Sequence, residues 1–221
     1  METLLNPVEA RVIATLVEKQ ITTPNNYPLT LTSLTTACNQ KSNRHPVMDL
    51  TEEETARALY SLRERNIAWE TAPAGSRVMK YSHEISRLLP LTDRQLAVLT
   101  ELMLRGPQTI GELRTHCERM HPLGDITQAA EVVQSLIDDA DSPRVVKLPR
   151  EPGRRENRYA HLLCGEPDIS DEPVDIAPSA AVAAVRTENE RIAELENQIG
   201  KLQQEVAELT EQFGKFKKQF D

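Results

Sequence analysis

The residues best suited to chemistry in this sequence are basic side chains grouped between residues 144 and 158. This stretch contains six Lys or Arg and two Glu, a net charge of +4. Pro152 and Gly153 separate two strand-like runs, which predicts a β-hairpin with a cationic tip. Such a hairpin can lie along a duplex backbone or enter a minor groove, although a solvated hairpin with Arg–Glu pairs is the alternative. The predicted nucleic-acid contacts here are Arg150, Arg154, Arg155 and Arg158.

Two further segments add polar candidates. Segment 39–45 joins two predicted helices and contains Asn, Gln, Lys and Arg, the side chains that contact base edges or phosphates. An earlier hairpin, predicted over 67–83, contributes two cations. The predicted contacts from these segments, with Asn43 facing a base, are Lys41, Asn43, Arg44, Arg77 and Lys80.

Catalytic and metal-binding patterns are missing from the sequence. It has no Gly-x-Ser-x-Gly motif and no phosphate loop, and its eight glycines are few for a cofactor loop. Cys38 and Cys117 fall on apolar helix faces, which favours buried thiols over reactive ones. His116, Cys117 and His121 offer three possible metal ligands, but no second Cys/His cluster follows at zinc-finger spacing. We therefore predict no enzyme activity and no catalytic, cofactor-binding or metal-binding residue.

Charge and cysteine content limit the class of protein. The net charge is −8, but residues 1–165 contribute only −1 and residues 166–221 contribute −7. The acidic total therefore does not exclude nucleic-acid binding by the first 165 residues, because salt screens charges beyond about 8–10 Å. Three distant cysteines argue against a disulfide framework. With no 18-residue apolar run and no secretory signal, we expect a cytoplasmic protein with no membrane contact.

The first 165 residues contain two copies of one unit. Each copy has an amphipathic helix, a short helix with Leu-x-x-x-Cys, a third helix, and two strand-like runs closing on Tyr-x-His. The predicted helices are 5–20, 29–38 and 51–65 in the first copy, and 91–106, 109–117 and 125–140 in the second. This order predicts a mainly α fold with small β-hairpins (α+β), built as two tandem winged helix-turn-helix domains, 1–88 and 89–165.

The third helices are poor candidates for DNA readout. In a helix-turn-helix the N-terminal residues of this helix enter the major groove. In the first copy those residues are Glu52, Glu53 and Glu54, which favour the helix dipole but repel phosphates. We therefore expect the hairpins and segment 39–45 to make most DNA contacts.

The remaining residues predict a spacer and a coiled coil. Residues 166–180 contain three Pro and five acidic residues, which indicates an extended linker. Residues 181–221 follow a heptad with β-branched residues at a and Leu at d, which favours a parallel homodimer; a helix folded back onto its own hairpins is the alternative. The predicted dimer seam is Ile192, Leu195, Ile199, Leu202, Val206, Leu209, Phe213, Phe216 and Phe220.

Two motifs resemble a known family. The segment Cys38-Asn-Gln-Lys-Ser-Asn-Arg-His-Pro-Val-Met48 and the segment Arg150-Glu-Pro-Gly-Arg-Arg-Glu-Asn-Arg-Tyr-Ala-His-Leu162 resemble the YceH family of bacterial proteins, over about residues 5–166. The resemblance implies a tandem winged-helix fold in the bacterial cytoplasm and little about activity. His45 is a departure, since an acidic residue commonly occupies this position in the family.

Function is expected to be binding without a cofactor. The leading hypothesis is a dimeric regulator that binds double-stranded DNA, in which the coil raises the effective concentration of the binding modules. The alternative is a protein-interaction adaptor that presents paired winged-helix domains, for which the acidic third helices fit a basic partner.

Overall fold

The computed structural model describes residues 4–72, 78–87, 89–139, 142–150, 153–154 and 156–167, which all belong to one compact unit. Its mixed composition of helices with small antiparallel sheets confirms the α+β class. The first repeat consists of α1 (Pro7–Thr22), β1 (Leu29–Thr30), α2 (Leu31–Cys38), α3 (Glu52–Glu64), β2 (Ala68–Thr71) and β3 (Lys80–His83). The second consists of α4 (Asp93–Arg105), α5 (Ile110–Cys117), α6 (Ile126–Ile137), β4 (Val145–Lys147) and β5 (Tyr159–His161).

Local sequence signals explain where the helices begin and end. Among the described residues, five of the six α-helices begin with a reciprocal capping box, in which the N-cap side chain and the side chain three positions later each accept the other residue's backbone N–H. The box between Thr51 and Glu54 at the start of α3 is one of them. Gly106 ends α4 with a φ of +69°, a region that L side chains rarely adopt.

The two repeats have related sheets. In the first repeat β3 lies between β1 and β2, with Lys80 opposite both Thr30 and Thr71. In the second repeat β4 pairs with β5, and a single bridge between Gln108 and Tyr159 takes the place of β1. Strand β1 lies inside the segment that the sequence assigns to the second helix, because its two residues are too short to show a strand period.

Helix α1 is the centre of the unit. Its residues from Glu9 to Glu18 are all buried, because α2, α3 and α4 pack around it. Two backbone hydrogen bonds join the repeats: Leu5 N–H donates to Leu163 C=O over 2.8 Å, and His45 N–H donates to Leu104 C=O over 2.8 Å. The repeats are therefore packed as one body, and the predicted division after residue 88 stays a prediction.

Two sequence predictions concern residues beyond this unit, and a third concerns membranes. The linker 166–180, apart from its first two residues, and the whole dimer seam from Ile192 to Phe220 lie outside the described residues. Within the described part of the chain, no helix is both long enough and apolar enough to cross a membrane.

Candidate nucleic-acid interface

The hairpin of the second repeat presents several of the predicted cations. Leu148 N–H donates to Arg158 C=O over 2.8 Å, which extends the β4–β5 pairing towards the tip. Arg150 is exposed, and its Nε donates to the carbonyl of Arg154 over 2.6 Å. Arg154 is exposed and Arg158 is half-buried, whereas Arg155 lies outside the described residues. The structure therefore brings Arg150, Arg154 and Arg158 to one hairpin, as the sequence predicts.

Carboxylates accompany these cations. A groove of about 200 Å³ between the hairpin and the start of α5 is lined by Arg154, Arg158, Glu112, Glu156 and Thr109. Two guanidinium groups thus share the groove with two acidic side chains. Because these carboxylates offset the arginines, the net positive charge of this hairpin is lower than its count of arginines indicates. Arg150 does not line the groove.

Segment 39–45 forms a contact between the repeats, and the prediction for Arg44 is wrong. The Arg44 side chain is fully buried, with its Nη atoms 3.2 Å and 2.5 Å from the two carboxylate oxygens of Glu18. Its Nε and Nη2 also donate to the carbonyl of Ala37. The Arg44 guanidinium cannot reach a phosphate unless the segment unfolds. Its buried charge is compensated by the bonds to Glu18 and Ala37, which would then be lost.

Other side chains at this segment make contacts inside the protein, whereas Lys41 faces solvent. Asn43, at a φ of +60°, uses its side-chain oxygen to accept a 2.7 Å hydrogen bond from Arg105 of α4. Arg11 holds both ends of the segment, because its Nη atoms donate to the carbonyls of Cys38 and Pro46. Lys41 is exposed, and its contact with nucleic acid stays a prediction.

A buried charge cluster connects the repeats, and the sequence analysis missed it. Glu18 of α1 and Glu101 of α4 both have fully buried side chains. Arg119 lies between them, with Nη2 2.5 Å from Glu18 Oε1 and 3.2 Å from Glu101 Oε1. Arg105 contacts Glu101 Oε2 over 2.8 Å. This cluster is defined by Glu18, Arg44, Glu101, Arg105 and Arg119.

The two carboxylates of the cluster respond differently to their surroundings. Burial alone raises the pKa of a carboxylate. For Glu18 the hydrogen bonds and charges of Arg44 and Arg119 outweigh burial, so its pKa is below the ordinary value. For Glu101 burial dominates over Arg105 and Arg119, so its pKa is raised. Both acids are held in place by cations that the hydropathy pattern does not reveal.

In the hairpin of the first repeat, the position of Lys80 is described, whereas Arg77 lies outside the described residues. Lys80 begins β3 and is half-buried beside a second groove, which lies between α1, α2 and β3. On the neighbouring strand Trp69 is 40% exposed, with the Arg87 guanidinium carbon 5.3 Å from its ring centroid. An exposed aromatic ring therefore accompanies the lysine on this sheet.

Two cysteines are buried, and one histidine contacts a neighbouring amide side chain. Cys38 and Cys117 are completely buried, which confirms the prediction of buried thiols, and Cys38 Sγ donates to Thr15 Oγ1 over 3.5 Å. Burial raises the pKa of the Cys38 thiol to about 11. His116 Nδ1 lies 2.5 Å from the side-chain oxygen of Gln108. Among the described residues, no group of three His, Cys, Asp or Glu is arranged to hold a metal ion.

Comparisons with known proteins relate the chain to a family of unknown function and to several bacterial proteins. A family profile described as "Protein of unknown function, DUF480" matches residues 5–154. A UPF0502 protein of Geobacter sulfurreducens is 52% identical over 221 residues, covering 100% of both chains. A UPF0502 protein of Vibrio parahaemolyticus is 42% identical over 209 residues, covering 93% of this chain and 94% of the relative. These matches agree with the family resemblance seen in the sequence.

Proposed function

Since the chain belongs to the DUF480 family of proteins of unknown function, we propose from its geometry that it binds double-stranded DNA without catalysis, through two winged helix-turn-helix units. The order of elements supports the fold assignment: a helix, a β1 position, two helices and a hairpin occur twice. In the first repeat the sheet order β1-β3-β2 pairs the hairpin with the two residues just before α2, and in the second repeat the Gln108–Tyr159 bridge pairs the hairpin with the segment just before α5.

The observation that supports DNA binding is the cationic hairpin of the second repeat. Lys147 and Arg150 are exposed on the first arm of this hairpin, at and just after the end of β4, and Arg154 is exposed near its tip. Positive side chains on a projecting hairpin contact phosphates by displacing counterions. Contacts of this kind position a protein on DNA and explain affinity rather than sequence preference.

The test is fluorescence anisotropy of labelled random duplex DNA over a salt series. Each phosphate contact contributes a slope of about −0.9 in log affinity against log salt. The variant Arg154→Ala/Arg155→Ala/Arg158→Ala should bind less tightly, with a slope shallower by about 2–3. The matched control is Arg57→Ala on α3, whose guanidinium is exposed and paired with Glu53. Absence of binding at about 50 mM salt, or an unchanged slope in the triple variant, would reject the proposal.

Dimerisation through residues 181–221 is part of the same proposal. It rests on the nine apolar a and d positions of the heptad. Charged substitutions at Ile199 and Leu202 should halve the mass measured by light scattering. A variant that keeps the wild-type mass would remove the coil from the mechanism.

One observation favours the alternative of a protein-interaction adaptor. The start of α3 exposes Glu52 and Glu53, and the same helix exposes 63% of Tyr60. A carboxylate-rich helix with an exposed aromatic residue fits a basic protein partner better than a phosphate backbone. Substitution of Glu52 and Glu53 by Gln should strengthen DNA binding slightly under the first proposal and abolish partner capture under the second.

A further inference from the structure

The first repeat has a polar groove that the duplex proposal does not use. The groove has a volume of about 440 Å³ and lies between the end of α1, strand β1, helix α2 and strand β3. Its lining includes two lysines and several neutral hydrogen-bonding groups: Lys19, Lys80, Asn25, Asn26, Ser33 and Thr36. None of the described residues that line it is acidic.

The charge behind the groove is also positive. Lys19 Nζ lies 3.6 Å from Glu18 Oε2, but that carboxylate is already bonded by Arg44 and Arg119. Lys19 and the buried charge cluster together contain four cations and two carboxylates, an excess of two positive charges. The ion pair with Glu18 therefore leaves Lys19 in a positive environment, which attracts an anion into the groove.

An exposed aromatic residue lies on the same sheet face. Lys80 is opposite Thr30 and Thr71, and Trp69 is opposite Ser82, two positions further along β3. Side chains two positions apart on a strand share a face, and diagonal neighbours are about 7–8 Å apart. Trp69, the single tryptophan of the chain, is thus a diagonal neighbour of Lys80 on this face of the sheet, one strand away from the groove lining.

The second repeat provides an internal comparison. Thr109 caps α5 as Thr30 caps α2, and Arg158 precedes Tyr159 as Lys80 precedes Tyr81. The equivalent groove is, however, lined by Glu112 and Glu156 in addition to its arginines. The first groove combines cations, neutral donors and a nearby aromatic ring without carboxylates among its described lining residues.

We propose that the groove of the first repeat binds a single-stranded nucleic acid, with phosphates at Lys19 and Lys80 and a base against Trp69. A basic groove beside an aromatic side chain is the arrangement used for single strands. Asn25, Asn26, Ser33 and Thr36 are all exposed, so the groove is open along its length. A small ligand would need a cavity that encloses most of its surface, whereas a strand extends through an open groove.

The experiment uses the full chain and fluorescein-labelled dodecathymidylate, with Trp69 fluorescence as a second signal. Two phosphate contacts predict a salt slope of about −1.4 for the wild type. Lys80→Gln should reduce it to about −0.7. Trp69→Ala, measured by anisotropy, should weaken binding by about 5- to 150-fold. Arg158→Gln, at the equivalent position of the second repeat, should weaken duplex binding and leave the oligothymidylate affinity unchanged.

Several results would overturn this inference. One is the absence of oligothymidylate binding at about 50 mM salt, and another is an unchanged salt slope in Lys80→Gln. Quenching of Trp69 by thymidine monophosphate at the concentrations that suffice for the strand would assign the groove to a free nucleotide instead. Duplex binding, measured in the same series, depends on the second hairpin. Its absence would reject the function proposed above but not the single-strand site in the first groove.

Discussion

Replacing Arg44 by Met removes the central cation of the buried charge cluster while keeping a side chain of similar length. Arg44 makes two contacts with the Glu18 carboxylate, at 3.2 Å and 2.5 Å, and donates to the carbonyl groups of Ala37 and Asn43. Because both partner side chains of the Arg44–Glu18 pair have no exposed surface, water cannot replace these bonds in the folded protein.

The expected loss of stability follows from these contacts. Removing one partner of a buried ion pair costs roughly 3–5 kcal/mol, because the other charge is left uncompensated. Arg119 still contacts Glu18, which moderates the loss, while the buried Ala37 carbonyl loses its donors, which adds to it. We therefore expect a loss of about 4 kcal/mol, a large part of the 5–15 kcal/mol typical of a folded domain.

The assay is urea unfolding followed by the fluorescence of Trp69 and by circular dichroism. With an m value of about 2 kcal/mol/M, the midpoint should fall by about 2 M. The matched control is Arg57→Met, whose ion pair with Glu53 has side chains 69% and 81% exposed. Exposed pairs contribute less than about 1 kcal/mol, so this midpoint should move little.

The pH dependence gives the sharpest check. In the wild type the pKa of Glu18 is lowered, so its ion pairs contribute stability above the unfolded-state pKa and lose it as pH falls through the folded-state value. Without Arg44, burial should raise the pKa of Glu18. Protonation at acid pH then removes the uncompensated charge and restores part of the variant's stability. The difference between wild type and Arg44→Met should shrink below pH about 5. A loss of stability under about 1 kcal/mol at pH 7 would refute the reasoning. So would a Glu18→Gln/Arg44→Met variant whose loss of unfolding free energy equals the sum of the losses in the two single variants.

Three further predictions concern the thiols, a glycine and the histidines. Ellman's reagent at pH 8 should label at most one thiol of the folded protein, the half-buried Cys164, and all three after denaturation. Gly106→Ala should cost about 1–3 kcal/mol in urea unfolding, because φ is +69° there, whereas Gly111→Ala in α5 should not destabilise. Stability should fall as pH drops from about 6.5 to about 4, because the unfolded chain then binds more protons. Burial lowers the pKa to about 4 for each of three histidines: His83, His116 and His161.

Much of the fold was predictable because its signals are local. Capping residues, the 3.6-residue period and the Pro-Gly turn locate the six helices and both hairpins to within a few residues. Asn6 caps the start of α1 and Gly106 ends α4, both residue types that commonly occupy such positions. These features depend on neighbours in the chain and need no knowledge of tertiary packing.

The candidate site was harder to predict because burial of charge is a tertiary property. Periodicity assigns a charged residue to the solvent face, but α1 is covered on all sides, so Arg11 and Glu18 are inside. Arg44 was interpreted as a phosphate contact from its residue type, and only the position of Glu18, 26 residues away, shows otherwise. The groove at Lys80 likewise depends on strand pairing between distant segments.

Arg119 of the second repeat neutralises an acid of the first, and this arrangement has a consequence for cooperativity. If one repeat unfolds, Glu18 or Glu101 loses a shared partner, and the apolar surface between α1 and α4 is exposed to water. Partial unfolding is therefore costly on both sides of the contact, so the repeats should melt in a single transition. A chain cleaved between them should behave as two complementary fragments that fold on association, since each provides charges that the other buries.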